Sequence, residues 1–245
     1  MIKVENLSKA FGPKRVLDDI SFEVPTGTSL AIIGGSGTGK SVTIKCILGL
    51  ITPDTGSLTW EGAPIAGQRE AFLKKFGMLF QGGALFDSMR VWQNVAFRLI
   101  HDGTPREEAR QIAIAKLART GLKPETADLF PAELSGGMQK RVALARAIAT
   151  DPAVIFFDEP TSGLDPIMSG VINRLIREIV TEMGATTITI THDMSSVQVI
   201  ADTALLLHEG KIRWQGDAQM MDEAENPYLH QFLNGLAEGP IEAVR

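Results

Sequence analysis

Gly34-Gly35-Ser36-Gly37-Thr38-Gly39-Lys40-Ser41 follows the apolar run Ser29-Leu30-Ala31-Ile32-Ile33. It precedes residues 41–50, which carry Val42, Ile44, Cys46, Ile47 and Leu48. The run suits a strand buried on both faces, and the segment after it suits a buried helix. Between them the eight residues satisfy G-x-x-x-x-G-K-[ST] in the strand–loop–helix setting that gives the pattern its meaning. The glycines let backbone N–H groups turn inward around a polyphosphate, and the helix adds the positive end of its dipole. Lys40 can reach the β- and γ-phosphates, and the Ser41 hydroxyl can ligate Mg2+. The bland alternative is a Gly-rich strand–helix turn; the flanks argue against it.

Residues 2–7 and 20–24 alternate apolar and polar side chains, as half-buried strands do. Pro53-Asp54-Thr55-Gly56 reads as a turn, with strands at 57–60 and 76–80. From about residue 91 to 150 the composition shifts to Ala, Arg, Glu and Leu. Residues 107–117 have helical spacing behind Pro105, which predicts a helical subdomain. An apolar strand at 153–157, a long helix at 166–183 and a β-branched strand at 186–190 follow. Such alternation implies a parallel sheet covered by helices.

The chain has 245 residues, enough for one large domain or two small ones. With 29 acidic against 24 basic residues and a net charge of −5, it lacks the basic excess of nucleic-acid binders. The single cysteine, Cys46, allows no internal disulfide, which suits a reducing compartment; it reads as a small buried apolar residue. No run approaches the about 18 apolar residues of a membrane span, and the N-terminus lacks a signal-peptide core. A cytosolic protein that meets a membrane only through a partner is expected.

Two further segments carry chemistry. Val154-Ile155-Phe156-Phe157-Asp158-Glu159-Pro160 delivers two carboxylates at the C-terminal end of an apolar strand, where ligands bind in parallel sheets. Asp158 would hold Mg2+ and Glu159 would polarise an attacking water; alone, the pair also reads as a solvated strand end. Leu134-Ser135-Gly136-Gly137-Met138-Gln139 precedes a helix expected at 140–149. It forms a second anion cradle or a plain helix cap with Ser135 at the N-cap.

The order of these features decides between readings. The phosphate loop, Gln81, the Ser-Gly-Gly element, the Asp-Glu strand, Ser162-Gly163-Leu164-Asp165 and His192 occur in that sequence. Together they closely resemble the nucleotide-binding subunit of an ABC transporter, over essentially the whole chain. The resemblance implies an α/β P-loop NTPase fold: a RecA-like core with an N-terminal antiparallel β subdomain and an inserted α-helical subdomain. Residues 1–90 and 151–226 would form the core, 91–150 the helical subdomain and 227–245 a tail. It also implies a homodimer, packed head to tail around two ATP molecules. Gly34 to Ser41 and Val42 would line the nucleotide, and Phe11 would stack on adenine. Ser135 and Gly137 would touch the γ-phosphate held by the partner's Lys40, with Gly136 part of the same nucleotide-binding element, and Asp165 would cross the interface. His192 would contact the γ-phosphate and hold Glu159 and water in place. Gln81 would sit near Mg2+ and link the site to the membrane partner. Val42 and Met138 depart from the family's usual Thr and Gln, removing no metal ligand, phosphate ligand or base. His101, His208 and His230 match nothing.

Phe80-Gln81-Gly82-Gly83-Ala84-Leu85-Phe86-Asp87-Ser88-Met89, with Val91-Trp92-Gln93-Asn94-Val95, looks like the ATPase subunit of Mla-type phospholipid transporters. So does the tail Gln231-Phe232-Leu233-Asn234-Gly235-Leu236-Ala237-Glu238-Gly239-Pro240. That resemblance implies phospholipid movement between inner and outer membranes, maintaining outer-membrane lipid asymmetry. It implies a permease, an MCE-domain protein and a STAS-domain protein as partners, and a place on the cytoplasmic side of the inner membrane without insertion into it. Leu85, Phe86, Met89, Val91 and Trp92 offer either a socket for a permease helix or packing inside the helical subdomain. Tyr228, Leu229, Phe232, Leu233 and Leu236 share one helical face; a dimer or partner contact is favoured over docking on the chain's own core. The rival functions are an importer ATPase for a small polar solute such as an amino acid, and a stand-alone assembly ATPase.

Overall fold

The computed structural model describes residues 1–242. In chain order they form β1 (Ile2–Phe11), β2 (Lys14–Val24), β3 (Ser29–Ile33), α1 (Lys40–Ile47), β4 (Thr55–Trp60), β5 (Ala63–Pro64) and α2 (Arg69–Lys74). Then come β6 (Phe76–Leu79), α3 (Val91–His101), α4 (Arg106–Arg119), α5 (Gly136–Ala147), β7 (Val154–Asp158) and α6 (Pro166–Met183). The chain ends with β8 (Thr186–Ile190), α7 (Met194–Ile200), β9 (Thr203–His208), β10 (Lys211–Asp217) and α8 (Pro227–Asn234). These fall into two compact units, one of Met1–Leu73 with the chain from Thr186 onward, the other Lys74–Ala185.

The first unit holds an antiparallel sheet in the order β2-β1-β4-β5. Its β1 buries Ile2, Val4 and Leu7 and leaves intervening polar residues outside, which is the alternation seen in the sequence. The unit's other strands run β10-β9-β3-β8. There β3 lies parallel to both β8 and β9, and β10 is antiparallel to β9. Every residue of β3 and β8 is buried, so their sequences are continuous apolar or β-branched runs rather than alternating ones. Ala31, Ile33, Val197, Leu206, Met221 and Leu229 form one cluster, and Tyr228, Phe232 and Leu233 pack against it. The apolar face of the tail therefore docks on its own unit, which corrects the expected dimer or partner contact; Leu236 alone of that face is exposed.

In the second unit β6 and β7 are parallel, with Leu79 opposite Phe157. Helices α3, α4 and α5 close around Val91, Trp92, Val95, Leu117, Val142 and Ala145. The bounds of α6 match those expected, because Asp165 caps it, Pro166 opens it and Gly184 at φ 61° ends it. Helix α5 begins four residues earlier than expected, at Gly136. Ser135 caps it by accepting from the Met138 N–H at 3.3 Å, and the glycine pair enters the first turn. A Cβ on Gly137 would lie 2.9 Å from the terminal methyl of Met168, a flexible end that can move aside, so it is the Ser135 cap that carries the glycine pair into the helix despite their poor helix propensity. Among the described residues no helix is long and apolar enough to cross a membrane.

Candidate functional site

In the first unit the chain leaves β3 and turns into α1 through Gly34 and Gly39, whose φ angles are 146° and 109°. A Cβ on Gly34 would stand 2.2 Å from the Leu207 carbonyl oxygen, and one on Gly39 would stand 2.8 Å from that of Val16. Only glycine fits either end of the loop. Gly35, Ser36 and Gly37 between them are exposed. Thr38 Oγ1 donates to the Gly35 carbonyl at 3.0 Å, fixing the curl. Lys40 Nζ donates to the carbonyls of Gly34 and Gly35 at 2.7 and 2.6 Å, which holds an ammonium against the loop. Gly39 gives α1 no side-chain cap, and its first turn holds no acidic residue. The dipole end and the ammonium thus converge on one short loop, an arrangement that suits a polyphosphate. Ser41 is exposed at the start of α1 and Val42 is half-buried.

The same unit carries Phe11 and His192. Phe11 ends β1 with 47% of its surface exposed, and the Lys9 ammonium lies 5.6 Å from its ring centre. Lys9 is paired in turn with Asp54 at 2.7 Å. That bond, with one from the Ala10 N–H, holds the Asp54 carboxyl below the ordinary aspartate range. His192 is exposed and follows β8 and the buried Thr191. Thr191 Oγ1 accepts the Asp193 N–H at 3.0 Å. Asp193 caps α7, accepting from the Ser195 N–H at 3.0 Å and the Ser196 hydroxyl at 2.7 Å. Burial opposes the charge on Asp193, but the bonds from Ser196 and Ser195 outweigh it and keep the carboxyl low. The backbone around His192 is therefore fixed on both sides.

The second unit carries the carboxylates. Asp158 closes β7 and Glu159 follows with φ 48°, a left-handed conformation that a non-glycine residue rarely adopts. The turn ends the strand between the two acids. Gln81 lies two residues past Leu79, as Glu159 lies two past Phe157, so both leave neighbouring parallel strand ends. Gln81 Nε2 donates to Ser162 Oγ at 3.4 Å. Ser135 and Asp165 are both N-caps; Asp165 accepts from the N–H groups of Ile167 and Met168 at 2.9 and 3.0 Å. Ser41, Gln81 and Asp158 offer hard oxygen donors, the chemistry Mg2+ prefers when phosphates and waters complete its shell. Among the described residues no group of three or more His, Cys, Asp or Glu forms a metal cage.

Three residues of this unit escape the sequence reading. Lys140, 6% exposed, donates to the carbonyl of Gln81 and, at 3.5 Å, to that of Glu159. Arg146 donates to the carbonyls of Ala84 and Gly83 at 2.7 and 2.6 Å. Asn94, fully buried, accepts the Phe86 N–H at 2.7 Å and donates to the carbonyls of Phe86 and Met89. The loop after Gln81 is thus wired to α5 and α3. The signal for two of them is a Lys and an Arg set into an Ala-rich helix. Of the five residues expected to form a socket, Val91 and Trp92 are buried in the helical core. Phe86 is 42% exposed and is joined at the surface by Phe97, 43% exposed, with ring centres 4.8 Å apart.

Residues 17–162 match the family described as ABC transporter. Over 246 residues the chain is 41% identical to the intermembrane phospholipid transport system ATP-binding protein MlaF of Escherichia coli K12, covering 98% of this chain and 91% of the relative. It is 38% identical over 245 residues to the probable ribonucleotide transport ATP-binding protein mkl of Mycobacterium tuberculosis H37Rv, covering 98% and 68%. Among solved structures it resembles cbiO1 of Clostridium perfringens, part of the ABC transporter complex cbiONQ. There the TM-score is 0.83 at 31% identity, over 91% of each chain. It also resembles the dimeric bacterial cassette MJ0796, with a TM-score of 0.81 at 28% identity over 89% of this chain and 99% of that one.

Proposed function

The chain belongs to the ABC transporter family and is an ATPase with the cassette fold, and on that premise we propose that it powers an intermembrane phospholipid transport system. The observation that carries the proposal is the likeness to MlaF, which spans nearly all of both chains. In this reading the chain works as a homodimer beneath a permease, on the cytoplasmic side of the inner membrane. An MCE-domain protein and a STAS-domain protein complete the assembly. Residues 1–90 and 151–226 act as the catalytic part, 91–150 as the helical part and 227–245 as the tail. The exposed pair Phe86 and Phe97 gives the permease an aromatic contact.

The reaction is hydrolysis of the γ-phosphate of ATP. Residues 34–41 hold the triphosphate through backbone N–H groups and the Lys40 ammonium, and Phe11 stacks on the adenine. Mg2+, when bound, neutralises phosphate charge; Ser41, Asp158 and Gln81 are the residues that would hold it. Glu159 takes the proton of the attacking water. His192 hydrogen-bonds the γ-phosphate. Ser135, Gly136 and Gly137 of one copy close on the γ-phosphate held by the other, and Asp165 meets the partner's phosphate loop.

A second reading has one specific observation in its favour. The relative mkl is named for ribonucleotide transport and matches as much of this chain, though only 68% of itself. Extraction of the tagged chain from native membranes in mild detergent, followed by mass spectrometry of proteins and lipids, separates the two. Phospholipid with a permease and an MCE-domain protein is expected. A permease with a solute-binding protein would overturn the lipid assignment, and soluble partners alone would overturn the transporter.

A further inference from the structure

Strands β6 and β7 run parallel, and their paired register ends at Leu79 and Phe157. Two residues further along each strand, Gln81 and Glu159 stand where the ladder has stopped. The carbonyls of these two residues accept from one group, the Lys140 ammonium. Lys140 lies in the second turn of α5 and is 6% exposed. Burial pulls its pKa down, while the nearby charges of Glu159 and Asp158 oppose that fall. A buried ammonium is costly to keep in a fold, and apolar residues often replace buried charges without loss of stability. A cation kept at this point is better explained by what it holds than by what it stabilises. Glu159 needs holding, because its backbone sits at φ 48°, outside the range a non-glycine residue prefers.

We propose that Lys140 is a positioning residue for ATP hydrolysis. By tying the main chain of Gln81 to that of Glu159, it fixes the base relative to the residue that follows the neighbouring strand. It acts through those two residues, whose carbonyls it bonds. The inference rests on the assignment of Glu159 as the base.

The test is steady-state ATP hydrolysis by the full chain in its detergent-extracted membrane complex. Lys140→Met keeps the methylene stem and removes the ammonium. Its kcat should fall about 10–100-fold, the scale of a misplaced catalytic group, while KM for ATP stays within about twofold of the parent. Lys140→Arg, whose fork can bridge two carbonyls, should recover most of the loss. In a Glu159→Gln background, Lys140→Met should cost no more than about a further twofold, because both act on one step. Parental kcat in Lys140→Met, a rise in KM alone, or full multiplication of the two losses would each overturn the proposal. Should Lys140→Met fail to fold, Lys140→Gln replaces it; its shorter stem cannot span both carbonyls, so parental kcat there overturns the proposal equally. Near-parental turnover of Glu159→Gln alone would sink the base assignment and this inference together. A catalytically dead Glu159→Gln beside an unaffected Lys140→Met sinks only this one.

Discussion

Gly34 and Gly37 occupy the same phosphate loop and both have positive φ, at 146° and 74°, yet their surroundings differ. A Cβ on Gly34 would meet the Leu207 carbonyl oxygen of β9 at 2.2 Å, while one on Gly37 would meet nothing within 4 Å. Strain of the left-handed region alone costs about 1–2 kcal/mol for alanine; a clash against a strand backbone adds about 1–3 kcal/mol. We expect Gly37→Ala to lose about 1–2 kcal/mol of stability and Gly34→Ala about 3 kcal/mol or more, read from urea unfolding without nucleotide. Equal losses would show that the loop, rather than strand β9, yields to the new methyl group. The pattern G-x-x-x-x-G-K-[ST] shows the need for glycine at Gly34 and Gly39, because the motif exists to pass a backbone through a narrow turn. It does not show that β9, which lies far along the chain, supplies the wall.

At the scale of elements, what the sequence makes legible is what local chemistry decides. The bounds of α6 follow from Asp165-Pro166 and Gly184, and those of β8 from its β-branched run. The start of α5 is hidden because Gly136-Gly137 has poor helix propensity and reads as loop, whereas the Ser135 cap carries the pair into the first turn. Lys140, Arg146 and Asn94 are hidden because periodicity does not tell a buried polar group from a solvated one. The tail shows the same limit: its apolar face is plain in the sequence, but nothing in the pattern says what covers it. In the structure Leu229 is fully buried in the cluster with Leu206 and Met221. Asn226 caps the helix at 3.0 Å, and the buried Gln231 amide exchanges hydrogen bonds with Ile241 at 2.9 and 2.7 Å. An eight-residue helix is too short to hold itself, so α8 depends on this docking. Leu229→Ala should cost about 2–5 kcal/mol, measured as the shift in urea midpoint without nucleotide. Since the contact lies within one chain, the loss should be the same at low and high protein concentration. A loss that appears only at concentrations where the chain self-associates would return the tail to the dimer interface.

For the molecule as a whole, the proposed cycle needs two copies to distinguish ATP from ADP. Moving a pair from 1% to 99% closed takes about 10⁴-fold preference, or about 5.5 kcal/mol. The γ-phosphate is the group that ATP has and ADP lacks, and in the proposed cycle the Ser135 hydroxyl and the Gly137 N–H of the opposing copy bond it. A charge-assisted hydrogen bond contributes about 1.5–3 kcal/mol. Two such bonds at each of two sites reach the required preference without any further contact. ATP should therefore close the dimer, and hydrolysis should release it. Blocking hydrolysis while keeping binding should trap it. We expect Glu159→Gln to elute as a dimer with ATP and Mg2+ and as a monomer with ADP, by size-exclusion chromatography with light scattering. Its turnover should fall at least about 10²-fold, the contribution of a positioned general base. Lys40→Ala, which loses the ammonium at the phosphate loop, should remain monomeric with either nucleotide. Glu159→Gln that dimerises equally with ADP would place the closing force outside the γ-phosphate, in protein surface that both nucleotides leave unchanged.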